Sequence, residues 1–214
     1  MLERRGEGLT VDFLLAGYRL FGVTYEVSEK VRLGDLLNGL AEAVTLHHAS
    51  ILGMKGQVLA SLPEVTVEKR HLIAAIPKES VEYQQRQRLY RAGMARPDLV
   101  RTPVVAVVPP FAATGKVHTA PTADLSDPDH MGLARFFPLT DACLFQGEER
   151  FYEGPIVILN RDLIAVIGKT GEELRARPDF QASNVSVEEL AKAVSALNQA
   201  IAPESLSLET SSAL

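Results

Sequence analysis

The chain has 214 residues, of which 46% are hydrophobic and 23% are charged, a composition that excludes wholesale disorder and suits one large domain or two small ones. Its net charge of −5 argues against a broad basic face for nucleic acid, which needs many lysine and arginine contacts to phosphates. The single cysteine, Cys143, excludes an intrachain disulfide, so we expect a cytoplasmic protein.

The N-terminal part of the chain predicts neither a signal peptide nor a membrane span. Its apolar stretch is interrupted by Asp12 and lasts only about one helical turn. We expect a helical turn over residues 10–16.

Segments with β character then follow in an order that occurs twice. Each combines β-branched, aromatic or aliphatic residues and ends at turn residues. In the first half they lie at residues 18–27, 44–52, 58–62, 65–67 and 72–76, with a helix or a structured loop at 33–43. In the second half they lie at residues 104–108, 115–119, 137–145, 156–159 and 163–167.

The two halves also share residues. Residues 66–78 match residues 157–169 without a gap, which pairs Arg70 with Arg161. Upstream, residues 46–52 match residues 139–145. The shared Arg, Leu-Ile-Ala and Lys positions favour an internal duplication over two unrelated sets of strands with similar composition.

The other segments predict helices and set the domain boundaries. Residues 81–94 contain good helix formers, and apolar residues recur at helical spacing over residues 187–201. The predicted units are a first β-rich repeat (1–80), a helical linker (81–101), a second β-rich repeat (102–170), a C-terminal helical segment (171–203) and a flexible tail (204–214).

Motifs for catalysis, metals and cofactors are weak. A P-loop fails at Gly168-Lys169 because position 163 is leucine where the loop needs glycine. His48 and His71 are weak candidate metal ligands, and the alternative is that both are polar residues on exposed strand edges and turns. We therefore predict no cofactor, and the sequence favours a non-enzymatic protein.

The turn that links the last two strands of each half is the candidate binding site. An arginine in both turns could brace the turn against a carboxylate or present its guanidinium to an anion or a partner. The candidate binding residues are Lys69, Arg70, His71, Asn160, Arg161 and Asp162.

Two stretches resemble known families. Leu139-Thr140-Asp141-Ala142, followed by two strands around an Asn-Arg-Asp turn at residues 156–167, resembles the second part of Sm-like barrels. The stretch Arg32-Leu33-Gly34-Asp35-Leu36-Leu37-Asn38 is similar to one in small bacterial domains of unknown function. The resemblance covers residues 18–78 and 103–169.

The resemblance implies two small, strongly bent β-barrels whose subunits associate through strand edges. Sm-like proteins bind RNA through an asparagine before the Leu-x-Asp strand and an Arg-Gly pair in the later turn. This chain has Pro138 before that strand and Asp162 after Arg161, so it departs from the RNA-binding pattern at both places.

We expect a mainly β fold with a few helices: two Sm-like barrel repeats joined by a helix and followed by a C-terminal amphipathic helix. The favoured function is a non-enzymatic binding or scaffolding protein that binds a protein partner or itself, because small barrels leave strand edges that must be covered. We expect it to bind no membrane. One alternative is an RNA-binding Sm-like regulator that uses Lys69, Arg70 and Arg161, although the acidic charge disfavours RNA. The other is a metal-dependent enzyme that uses residues from the set His48, His71, Asp141 and Asp162.

Overall fold

The computed structural model describes residues 8–27, 31–78, 99–123, 125 and 133–170. Most of the predicted linker, the C-terminal helical segment and the tail lie outside these residues. The described elements are one α-helix, two 3-10 turns and ten strands: β1 (Leu9–Leu15), β2 (Tyr18–Thr24), α1 (Leu33–Asn38), β3 (Ala43–Gly53), β4 (Val58–Glu68), a first 3-10 turn (Lys69–His71), β5 (Ala74–Pro77), β6 (Val100–Val108), β7 (Phe111–Thr119), β8 (Phe136–Gln146), β9 (Glu149–Asn160), a second 3-10 turn (Arg161–Leu163) and β10 (Val166–Lys169).

The ten strands form a single antiparallel sheet in the order β10-β6-β7-β8-β9-β5-β1-β2-β3-β4. The prediction of a mainly β fold is confirmed. The prediction of two closed barrels is wrong, because β9 does not close onto β10 at the other edge of its own half. On one side β9 pairs with β8, and on the other side it pairs with β5 of the first half, so the sheet runs open from one half into the other.

Each half has the same strand order, β5-β1-β2-β3-β4 in the first and β10-β6-β7-β8-β9 in the second. The pairing registers give a residue-by-residue match between them. Tyr18 pairs with Gly53 as Phe111 pairs with Gln146, which is an offset of 93 over the first three strands. Glu68 corresponds to Asn160, which is an offset of 92 over the last two, because the β3–β4 hairpin is one residue longer.

The match predicted for the 3-10 turns is therefore wrong by one residue. Arg161 occupies the place of Lys69, and Asp162 occupies the place of Arg70. The ungapped match shares a Leu-Ile-Ala run, but a slip of one residue along a strand turns every side chain to the opposite face. The pairing of β5 with β1 and of β10 with β6 fixes the true register.

A bulge bends the third strand of each half at the same place. His48 and Asp141 both have a φ of 51°, in the left-handed region that residues other than glycine seldom adopt. Pro63 and Pro155 lie opposite them on β4 and β9, between the flanking pairs of the ladder. Proline has no N–H to donate, so it fits where a bulge already interrupts the ladder.

A glycine lies on the other side of each bulge, where the backbones come close. A Cβ atom on Gly115 would be 2.6 Å from the Leu139 Cγ and 2.8 Å from the Thr140 carbonyl oxygen. A Cβ atom on Gly22, the matching residue, would be 3.1 Å from the His47 carbonyl oxygen. The two halves thus share a bend built from a glycine, a left-handed residue and a proline.

Two hydrophobic cores lie on opposite faces of the sheet. Ala75 packs into the core of the first half and the neighbouring Ala74 into the core of the second, and successive side chains on a strand point to opposite faces. Val11 and Phe13 of β1 are fully buried in the first core. Their spacing of two explains why Leu9–Leu15 is a strand, contrary to the helical turn predicted over residues 10–16.

No helix within the described residues is long and apolar enough to span a membrane.

We expect Gly115→Ala to lower the free energy of unfolding by about 1–3 kcal/mol, because its Cβ atom would overlap backbone that cannot move easily. Gly22→Ala, with looser contacts, should cost less. Gly34→Ala in α1, where a Cβ atom meets nothing within 4 Å, should be neutral or slightly stabilising. Urea denaturation of the three variants checks the order, and an equal loss in Gly115→Ala and Gly34→Ala would contradict it.

Candidate functional site

The two halves meet where β5 pairs with β9. Ala74 pairs with Leu159 and Ala75 with Ile158, and the Asn160 N–H donates to the Ile73 carbonyl oxygen at 3.0 Å. All of these residues are buried. This junction joins the sheet by the ordinary means of an antiparallel ladder.

Asn160 reinforces the junction with its side chain, which is fully buried. Its amide nitrogen donates to the Leu72 carbonyl oxygen at 2.9 Å. Its amide oxygen accepts from the Asp162 N–H at 3.1 Å. A single side chain therefore links the second 3-10 turn to the residues that follow the first.

Polar contacts from α1 and from the start of β8 extend the junction. The Asn38 amide nitrogen donates to the Phe136 carbonyl oxygen at 2.7 Å, and the Asn38 oxygen accepts from the Phe136 N–H at 2.9 Å. Next to this pair, Arg135 lies 2.9 Å from Asp162 and 3.5 Å from Glu42. Asn38 thus pairs with Phe136 as a neighbouring strand would.

Two cations of the first half lie over aromatic rings of β9. The Arg19 guanidinium is 5.2 Å from the centre of the Phe151 ring, and the Lys78 Nζ is 5.1 Å from the centre of the Tyr152 ring. Arg19 also forms an ion pair with the buried carboxylate of Asp12. Cations within about 6 Å of a ring are attracted to its face, so these contacts also hold the halves together.

Lys69 and Arg161 occupy matching places, and both donate hydrogen bonds to backbone carbonyl groups. The Lys69 Nζ is almost completely buried and donates to the carbonyl oxygens of Leu36 at 2.7 Å and Gly39 at 3.0 Å. Arg161 donates to the Leu133 carbonyl oxygen at 2.7 Å. Each side chain therefore braces the segment between the second and third strands of its half.

The pKa of Lys69 is lowered from 10.5, chiefly because burial penalises its charged form. Glu42 and Glu26 oppose this change, and Arg135 adds to it. At pH values just below 10.5, Lys69 therefore binds a proton more often in the unfolded chain than in the folded chain. Stability consequently rises with pH in that range.

The remaining candidate residues of the first turn lie at the surface. Arg70 donates to Glu68 at 2.7 Å and its Nε lies 3.2 Å from the His71 Nε2. All three side chains are more than half exposed. Of the six candidate residues, Lys69, Asn160 and Arg161 therefore hold backbone groups, whereas Arg70, His71 and Asp162 are exposed and lie close to charged neighbours.

The weak metal candidates lie in different elements of the first half. His48 lies on the bulge of β3, and His71 lies in the first 3-10 turn. Asp141, the counterpart of His48, pairs with Lys116 at 2.8 Å, a hydrogen bond that lowers the pKa of its carboxyl. Among the described residues, no group of three or more potential ligands comes together.

The sequence predicts association through strand edges, but it does not identify which strands form the two outer edges of the sheet. Residues 72–77, which contain the strand that pairs with β9, are all buried, whereas most of the matching residues 164–169 are exposed. On the opposite edge, large apolar side chains of β4 face solvent, with exposed fractions of 63% for Val58, 53% for Leu59 and 39% for Leu62. The repeated strand order is the signal that identifies these edges.

We expect Lys69→Met to lower the free energy of unfolding by about 1–3 kcal/mol, because it leaves two carbonyl groups without their donor. The variant should also lose the rise in stability just below pH 10.5. Arg70→Met, one residue away but exposed, should change the free energy by less than about 0.5 kcal/mol. Urea denaturation at pH 7 and at alkaline pH measures both effects; equal losses in the two variants would show that Lys69 is not a brace.

We expect Asn160→Asp to cost about 1–3 kcal/mol of stability, because a carboxylate cannot donate to the Leu72 carbonyl oxygen. Asp162→Asn should cost about 1 kcal/mol or less, because its backbone N–H remains and its ion pair is exposed. Thermal or urea unfolding compares the two. A loss in Asn160→Asp no greater than in Asp162→Asn would contradict the role of the buried amide.

Comparison of the chain with models of protein families, with curated proteins and with solved structures found no match.

Proposed function

We propose that the protein is a non-enzymatic scaffold that assembles through the exposed edges of its sheet. The observation that carries this proposal is the contrast between matching strands. β5 is buried and has β9 as its neighbour in the sheet. β10, which has the same place in its own half, has no strand on its outer side within the described residues. Exposed edges pair readily with strands of other chains.

The composition of both edges supports the proposal. β4 carries the exposed residues Val58, Leu59 and Leu62, and the β10 edge carries Leu163 and Val166, which are 36% and 57% exposed. Edges that avoid pairing usually carry charges, prolines or short strands, and β4 does carry Pro63 and Glu64 while β10 has four residues. The three exposed apolar side chains of the 11-residue β4 are the feature that favours association.

The contacts of the basic residues favour this proposal over RNA binding. Lys69 and Arg161 donate to backbone carbonyl groups, and Arg70 pairs with Glu68. A phosphate would have to displace these partners. Binding through β edges needs no such rearrangement, because the backbone donors and acceptors already face outward.

The test is the molar mass of the full chain by light scattering and sedimentation across a dilution series. We expect a mass above that of the monomer that falls on dilution. Ile167→Pro should weaken association by at least roughly tenfold, because it removes an N–H that faces away from β6.

Ile167→Ala is the matched control, since it also shortens the side chain but keeps the N–H. It should associate like the unmodified chain. A monomer at every concentration would overturn the proposal, and so would an oligomer that Ile167→Pro leaves unchanged.

A further inference from the structure

We infer that the partner at each edge is a second copy of this chain, bound head to tail, with β4 of one copy paired to β10 of the next. This rests on the proposed assembly through edges and specifies its partner and register. The chain already contains one contact of the same kind. β9 and β5 form the junction, and β4 and β10 are the strands that match them in the other half.

The junction fixes the register of the new contact. Leu159 pairs with Ala74, and the matching residues are Val67 and Val166. In the same register Thr66 faces Ile167. The two contacts can therefore be compared residue by residue.

The new contact would complete the first core as the junction completes the second. Ala74 is buried in the core of the second half beside Leu159. Its counterpart Val166 is exposed, whereas Val67 lies in the core of the first half. Pairing would place Val166 of one copy against the first core of its neighbour, where its apolar surface leaves water.

Charges at the end of the ladder are complementary in this register. Glu64 of β4 would lie directly across from Lys169 of β10. The Glu64 side chain is 61% exposed, and its partner within the chain is His47 at 3.3 Å. Opposite charges directly across an antiparallel pair stabilise it, so the charges favour this register.

The contact between a cation and an aromatic ring at the junction corresponds to a contact between two apolar residues at the proposed interface. At the junction Arg19 lies over Phe151; at the edges the matching residues are Ala112 and Leu59. Ala112 is packed with Val107 and Phe145, and Leu59 is 53% exposed. Leu59 of one copy would thus cover a small apolar patch of the next.

A contact of this kind is heterologous, because the two copies contribute different strands. Each copy then offers one free β4 and one free β10, and repetition gives a closed ring or a filament according to the rotation between copies. Blocking either strand in all copies therefore stops growth. Blocking different strands in two populations still permits one contact.

The decisive experiment is disulfide crosslinking between full-length chains in a Cys143→Ser background. One chain carries Val67→Cys and the other Val166→Cys. The Asn160-to-Ile73 hydrogen bond beside the Leu159–Ala74 pair marks that pair as non-hydrogen-bonded, with Cα atoms about 4.5 Å apart. This spacing suits a disulfide, so we expect a crosslinked dimer from the mixture on a non-reducing gel.

Thr66→Cys with Val166→Cys is the matched control, because one residue along the strand turns the side chain to the other face. It should crosslink at least roughly tenfold less. An oligomer that crosslinks equally in both mixtures, or in neither, overturns the register and leaves edge assembly standing. A chain that is monomeric throughout overturns both proposals.

Charge reversal tests the same register without cysteines. Glu64→Lys and Lys169→Glu should each weaken association by roughly fivefold, and the double variant should restore it. Failure of the double variant to recover would contradict the pairing of these residues.

A mixture of Thr66→Pro and Ile167→Pro chains should form a heterodimer and nothing larger, whereas larger assemblies from that mixture would exclude a head-to-tail contact.

Discussion

The antiparallel pairing of β5 with β9 is the interaction on which the rest of the structure depends. It turns two five-stranded units into one sheet and buries strands that would otherwise be edges. The buried amide of Asn160 secures it by a hydrogen bond to Leu72. A closed barrel in the second half would have required β9 to pair with β10, the opposite edge of that half, so the junction forms in place of barrel closure.

The sequence predicted the β class and most strands, because alternating and β-branched runs report local structure directly. It was wrong where tertiary pairing decides the outcome. Nothing local distinguishes the fourth strand of a barrel from a strand that crosses to another unit. The predicted match of Arg70 with Arg161 was wrong because it requires the hairpin at residues 53–57 to be two residues longer than its counterpart, whereas it is one residue longer. A short apolar run aligns equally well after a slip of one residue.

Asn160 and Asp162 were predicted from the turn to bind a ligand, and the structure places both at the junction. Their role in binding stays a prediction. Lys69 was selected for its charge, but burial and two carbonyl acceptors make it a brace. The sequence could not identify β4 and β10 as the edge strands, because exposed valine and leucine in a strand look like core residues until the sheet order is known. The glycine and proline that flank each bulge were visible in both halves and could have anchored the match at its correct offset.

Ala74 and Ala75 lie at the centre of the sheet, and each contributes its methyl group to a different core. Neither half can therefore open without exposing apolar atoms that belong to the other. Two domains joined by a linker could unfold one after the other, but units whose cores share a strand unfold together. The described sheet should unfold as one cooperative unit, with a single heat-absorption peak whose calorimetric and van't Hoff enthalpies agree.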